Sequence, residues 1–174
     1  MSAEGKHVLF VVAPDRFRDE ELFIPKEMME KAGVITHVTA PKVFPAKGMN
    51  GGQAMPDVEL RSVNAENYDA IVFIGGSGAE VYFDNSLAHK IAKDAVTQNR
   101  LLCAICIAPG ILAKAGVLEG KKATVFFGEK YEKLLREGGA TNTKQRVEVD
   151  GRLITANGPM ASKEFGQAIL AALA

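Results

Sequence analysis

The sequence predicts an α/β fold: a mostly parallel sheet covered by helices on both faces. Three observations carry that reading. Short, nearly unbroken apolar runs recur at His7–Val12, Asp69–Ile74 and Leu101–Ile105, as in strands buried on both sides. Between them lie segments with the apolar spacing of helices, at Glu20–Ala32 and Ser86–Arg100. Near the end, Asp150-Gly151 separates two short β-type runs and marks a hairpin. A chain of 174 residues without repeats or low-complexity tracts is read as one domain, 1–174.

Taken in order, His7–Val12 is the first strand, and Ala13–Asp19 is a charged loop holding Asp15, Arg16, Arg18 and Asp19. Glu20–Ala32 is the first helix, with Pro25 near its first turn, Leu22, Met29 and Ala32 on one stripe, and Gly33 as its stop. Ile35–Ala40, bounded by Pro41, is the second strand. The Gly- and Pro-rich stretch Lys42–Val63 is expected to be irregular or short-stranded. Asp69–Ile74 is the third strand and runs into Gly75-Gly76-Ser77-Gly78. Ser86–Arg100 is a helix with Leu87, Ile91 and Ala95 on its buried side. Leu101–Ile105 is a strand, Ala108–Ala115 a short helix closed by Gly116, and Ala123–Phe127 a further strand. Glu129–Glu137 is a helix ended by Gly138-Gly139. Val147–Val149 and Leu153–Thr155 form the hairpin, and Ala161–Leu173 is the closing helix, with Phe165, Ala168, Ile169 and Ala172 on one side.

Composition removes several function classes. Lys plus Arg equal Asp plus Glu at 21 each, so no basic excess points to nucleic acid or a membrane surface. The longest near-apolar stretch, Leu101–Ala113, is broken by Pro109-Gly110 and too short to span a bilayer. Met1–Lys6 runs straight into a strand pattern, so no signal peptide is expected. Two cysteines make no disulfide framework, which points to a cytoplasmic location. His7, His37 and His89 lie in two strands and on a helix, without the convergence a metal centre needs; neither metal nor cofactor is expected.

The stretch that carries chemistry is Leu101–Gly110. The strand ends at Cys106, and Pro109 suits the first turn of the helix that follows. Small residues, Ala104 and Ala108, flank the turn, as a nucleophile elbow requires. A helix N-terminus beside a thiol favours thiolate by ~0.3–1 kcal/mol. Cys103, three residues earlier in an extended strand, faces away from Cys106 and belongs to the core. Gly75-Gly76-Ser77-Gly78 lacks the spacing of a nucleotide loop and is read as a turn that offers N–H groups to an oxyanion. Ligands of open α/β sheets bind beyond the carboxyl ends of the strands. That rule gathers Ala13–Glu21, Gly75–Gly78, Cys106–Gly110 and the segment from Phe126 at one end. An acid from the first loop, one of Asp15, Asp19, Glu20 or Glu21, is expected near Cys106.

These residues also carry a family resemblance. Glu21-Leu22-Phe23-Ile24-Pro25, Ile74-Gly75-Gly76, Ala104-Ile105-Cys106 with Pro109, Gly116–Thr124, Asp150-Gly151 and Gly158-Pro159 resemble, in order, the ThiJ/PfpI superfamily, with its protein-deglycase and intracellular-protease branches. The resemblance implies a flavodoxin-like three-layer sandwich with Cys106 as reactive thiol and Glu21 as its carboxyl partner. It also implies N–H groups from Gly75 and Ile107 at the oxyanion position, and a homo-oligomer, at least a dimer. Two departures bear on mechanism: the histidine of the protease branch is Ile107 here, and that of the deglycase branch matches Phe126. Glu21 would have to move protons alone, neutral beside the thiolate. The expected function is thiol chemistry on peroxide or small α-oxoaldehydes, as an oxidative-stress sensor or slow glyoxalase or deglycase. The alternatives are a PfpI-like cysteine peptidase completed across a subunit interface, and a chaperone. Phe17, Phe23 and Met28 are expected to offer an apolar two-fold patch.

Overall fold

The computed structural model describes residues 2–174. In chain order it forms β1 (His7–Val11), β2 (Asp15–Phe17), α1 (Asp19–Lys31), β3 (Ile35–Ala40), β4 (Ala46–Gly48), β5 (Gln53–Ala54), β6 (Val58–Glu59) and β7 (Ala70–Phe73). There follow α2 (Ser86–Thr97), β8 (Leu101–Ile105), α3 (Pro109–Lys114), β9 (Lys122–Ala123), α4 (Glu129–Glu137), β10 (Thr141–Asn142), β11 (Val147–Asp150), β12 (Leu153–Ala156) and α5 (Ser162–Leu173).

The main sheet runs β11-β12-β8-β7-β1-β3-β6. All its neighbours are parallel except β11 with β12, which the Asp150-Gly151 turn joins as an antiparallel hairpin. Helices α1 and α5 pack on one face; α2 and α3 pack on the other, with α4 against α3. This is a flavodoxin-like α/β sandwich with a mostly parallel sheet, as expected. The apolar runs explain it: every residue of β7 and β8 is buried. Each large side chain withdrawn from water there contributes about 1.5–3 kcal/mol. Chain order reverses between β1 and β7, the place where open sheets leave a crevice. The register puts Val11 opposite Phe73 and Phe73 opposite Ala104, so the segments after β1, β7 and β8 emerge side by side.

Several sequence expectations need correction. Of Ala123–Phe127 only Ala123 joins a ladder, as the end of β9, which pairs with β10 outside the main sheet. The rest has other partners: the Thr124 N–H donates to Thr155 Oγ1 at 3.0 Å, and the Phe126 N–H to the Cys106 carbonyl at 2.7 Å. Helix α2 stops at Thr97, and Leu87 is exposed while Ile91 and Ala95 are buried. Helix α1 begins at Asp19, so Pro25 lies inside it rather than in its first turn, and the carbonyl of Glu21 loses its helical N–H partner. Ala32 is exposed. The expected apolar patch does not form: Phe17 is fully buried, and Phe23 and Met28 are half-buried against the core and α5. Lys42–Val63 holds the short strands β4, β5 and β6.

Candidate active site

Cys106 follows β8 with φ +65°, one of four non-glycine residues in the left-handed region among the described residues. That conformation costs about 1–3 kcal/mol and persists only where the surroundings over-determine it. Here they do: the Cys106 N–H donates to the Ala156 carbonyl on β12 at 2.9 Å, and its carbonyl accepts from Phe126. The turn lifts the thiol off the sheet, while Cys103, fully buried in mid-strand, stays in the core. Both cysteines are free.

Of the four acids after β1, the fold brings Glu21 to the thiol. Asp15 is exposed on β2. Asp19 accepts from the N–H groups of Asn50 and Gly52 at 2.8 and 2.7 Å. Glu20 accepts from Arg18 Nε at 2.9 Å. Glu21, on the first turn of α1, is fully buried; its Oε1 accepts the Gly75 N–H at 3.0 Å, and Gly75 has both this oxygen and the Cys106 side chain against it. Oε2 is buried without a hydrogen-bond partner. A bare anionic oxygen there would be costly, whereas a protonated one can donate to sulfur. Gly75 must be glycine: a Cβ would sit 2.5 Å from Cys106 Cβ and 2.6 Å from Glu21 Oε1.

The electrostatics follow from burial. Burial pushes the Glu21 carboxyl up from 4.5 to about 8, against hydrogen bonds with Cys106 and Gly75 and the charge of Arg18. Burial also pushes the Cys106 thiol up, reinforced by Glu21 and opposed by the backbone N–H groups of Gly76 and Ile107 directed at the sulfur. The expectation of a thiolate favoured by the helix end is thereby reversed: desolvation outweighs it in this closed setting. Both groups thus hold their protons more tightly than they would in water. The first proton lost, near pH 8, leaves one negative charge that belongs to the pair.

Above the sulfur is a cavity of about 190 Å³ lined by Arg18, Met49, Gly76, Ser77, Cys106, Ile107, Phe126, Tyr131 and Pro159. Gly75 lies behind Cys106 and Glu21 rather than on the cavity wall, and its N–H is committed to the carboxyl. Gly76 and Ile107 are therefore the N–H donors left to the thiol. Phe126 stacks edge-on to Tyr131, and Tyr131 to Phe83, with centroids 6.3 Å apart in each pair. Sequence reasoning did not assign Arg18, Met49, Tyr131 or Pro159 to the site. The one usable signal was the Gly48–Gly52 turn, which Asp19 straps down so that Met49 reaches the cavity. The histidines lie elsewhere: His7 and His37 contact each other at 3.0 Å, and His89 contacts the Phe83 carbonyl. Among the described residues no group of three His, Cys, Asp or Glu could hold a metal ion, and no helix is long and apolar enough to cross a membrane.

Comparison with known proteins finds relatives that span most of the chain. The chain is 37% identical over 167 residues to an uncharacterized protein of Methanocaldococcus jannaschii, covering 95% of this chain and 82% of that one. It is 29% identical to deglycase PfpI of Pyrococcus furiosus, covering 87% and 90% of the two chains. It is 25% identical to the glutathione-independent glyoxalase DJR-1.2 of Caenorhabditis elegans, covering 98% and 90%. The crystal structure of a ThiJ/PfpI domain protein from Brachyspira murdochii superimposes with a TM-score of 0.94 at 32% identity, over 98% and 97% of the chains. The model of the DJ-1/PfpI family matches residues 6–172, nearly the whole chain, and this chain belongs to that family.

Proposed function

We propose that the chain is a reactive-cysteine protein whose Cys106, working with Glu21, acts on small α-oxoaldehydes as a slow glyoxalase or deglycase, and is open to oxidation by peroxide. The observation that carries this reading is a strained cysteine beside a fully buried carboxyl and the backbone N–H groups of Gly76 and Ile107, at the base of a 190 Å³ cavity. In the monoanionic pair the sulfur attacks the aldehyde carbon of methylglyoxal, forming the C–S bond. The carbonyl oxygen takes the Glu21 proton, giving a hemithioacetal. The Glu21 carboxylate then removes the proton on that carbon and returns it to the neighbouring one, which leaves a thioester of the hydroxy acid. Water cleaves the thioester to lactate and frees the thiol. The deglycase and glyoxalase names of relatives support this chemistry, and so does the cavity's size, which suits a small molecule better than an extended polypeptide. No histidine lines the cavity, which weighs against a peptidase.

The same reading places the protein in a reducing, cytoplasmic setting, supported by its two free thiols. It also makes the protein at least a homodimer; Phe127 and Met160, 85% and 82% exposed beside the site, supply apolar surface. Light scattering at micromolar concentration tests the assembly, and a monomer mass would remove it. The chemistry is tested by lactate formation from methylglyoxal, with casein hydrolysis in parallel, in wild type and Cys106→Ser. Lactate formed equally by both proteins would sink the proposal.

A further inference from the structure

The cavity holds a feature that this reaction does not require. Among the residues lining it, Arg18 is the one with a formal charge; its other walls are Met49, Ile107, Phe126 and Pro159, with the Tyr131 and Ser77 side chains as neutral polar groups. Arg18 does not point there by chance of a loose loop. Its backbone N–H donates to the Gly75 carbonyl at 2.9 Å, so the residue is tied to the strand end beside the thiol. Its Nε donates to Glu20 Oε2 at 2.9 Å, and Glu20 Oε1 accepts from Asn50 Nδ2 at 2.5 Å. The Asn50 turn is in turn held by Asp19. Glu20 is thus engaged through both oxygens, and it grips the inner nitrogen of the guanidinium, leaving the two terminal amino groups of the fork. The side chain is one-third exposed, and its charge reaches Glu21. A planar fork beside apolar walls is suited to a carboxylate, with both oxygens bound in parallel.

We infer that Arg18 is a specificity residue. It favours electrophiles that carry a carboxylate next to the reacting carbon, with glyoxylate as the smallest carbonyl case, over neutral ones of the same size. The inference rests on the reading of Cys106 as nucleophile but not on turnover. Glyoxylate would form a hemithioacetal with Cys106, the C–S bond forming as the aldehyde oxygen takes the Glu21 proton, while Arg18 holds the carboxylate.

Paired alkylating agents read this directly. Iodoacetate and iodoacetamide differ in the carboxylate; each forms an S–C bond as iodide leaves and the thiol proton passes to Glu21 or water. Their rates at Cys106, followed by mass spectrometry, give a ratio that cancels general changes in thiol reactivity. The ratio is expected to fall by about two- to fivefold in Arg18→Met, the size of a part-exposed ion pair, and by less in Arg18→Lys. Salt at roughly 0.5 M should lower the wild-type ratio towards that of Arg18→Met. Glyoxylate should protect wild-type Cys106 from iodoacetamide at lower concentration than methylglyoxal does, with the preference lost in Arg18→Met. A ratio unchanged by Arg18→Met overturns the inference and leaves the reactive thiol standing. Absence of labelling by either reagent in the native protein overturns both. If Arg18→Met does not fold, a wild-type ratio insensitive to salt is enough to reject the role.

Discussion

Cys103 and Cys106 stand three residues apart, are both buried, and have thiols that burial pushes up, yet the fold treats them differently. Cys103 lies in β8 with its neighbours Val72 and Ile154 paired on either side. Nothing there stabilises an anion apart from the distant charge of Arg152. Cys106 sits one residue past the strand at φ +65°, with Glu21 and two N–H groups at its sulfur. Burial alone therefore makes a thiol inert. Burial together with a proton-holding partner makes a pair whose first proton leaves near pH 8, with the remaining charge shared between carboxyl and sulfur.

The largest effect expected to separate the two cysteines is on turnover. Cys106→Ser should reduce lactate formation to background, whereas Cys103→Ala should keep it within about twofold, since it touches packing and not the site. Loss of activity in Cys103→Ala with an unchanged denaturation midpoint would break the comparison. Next comes the partner. Glu21→Gln keeps a donor but loses the acid, and should cut turnover by about 10²-fold or more; the exposed Asp15→Asn is the control and should change little.

Glu21 also predicts a pH dependence of opposite sign to most carboxylates. Its folded value is raised from 4.5 to about 8, so the native state holds a proton that the unfolded state has lost. Its contribution to stability is complete below pH 4.5 and declines as pH rises to about 8. A shift of that size has a ceiling of about 4–5 kcal/mol. Urea midpoints measured from pH 4 to 9 should show the decline in wild type and its loss in Glu21→Gln. Over the same range the iodoacetamide rate at Cys106 should climb through about pH 8, with Cys103 labelled only on unfolding. A rate already at plateau by pH 6 would show that the sulfur ionises first.

Two smaller effects sharpen the contrast. Phe126→His would restore a proton carrier on the cavity wall, and about a tenfold gain in turnover is expected. Strain gives the smallest: Cys106→Gly relieves the left-handed backbone and should hold or raise stability by up to ~1 kcal/mol. Cys103→Gly opens a void in β8 and should lower it by about 2–4 kcal/mol. Destabilisation of equal size at both positions would mean the elbow stores no strain.

Chain sequence by itself determined the apolar runs that become β1, β7 and β8, the small residues that let the chain turn at Cys106, and the rule that the loops meet at one sheet end. These are local properties: period, size and turn chemistry are written in neighbouring residues. It also suggested Glu21, through the pattern leading to Pro25. Tertiary structure alone decided that Phe126 leaves the ladder to bond the Cys106 carbonyl and wall the cavity. The same holds for the Gly75 N–H, which serves Glu21, and for Arg18, which is aimed through Glu20 and Asn50. In a single sequence Ala123–Phe127 looks like any buried strand, because its alternative partners lie some twenty to thirty residues away. The thiol's proton affinity was likewise out of reach, since the helix end that favours thiolate is a local feature but the burial that opposes it is a sum over distant segments.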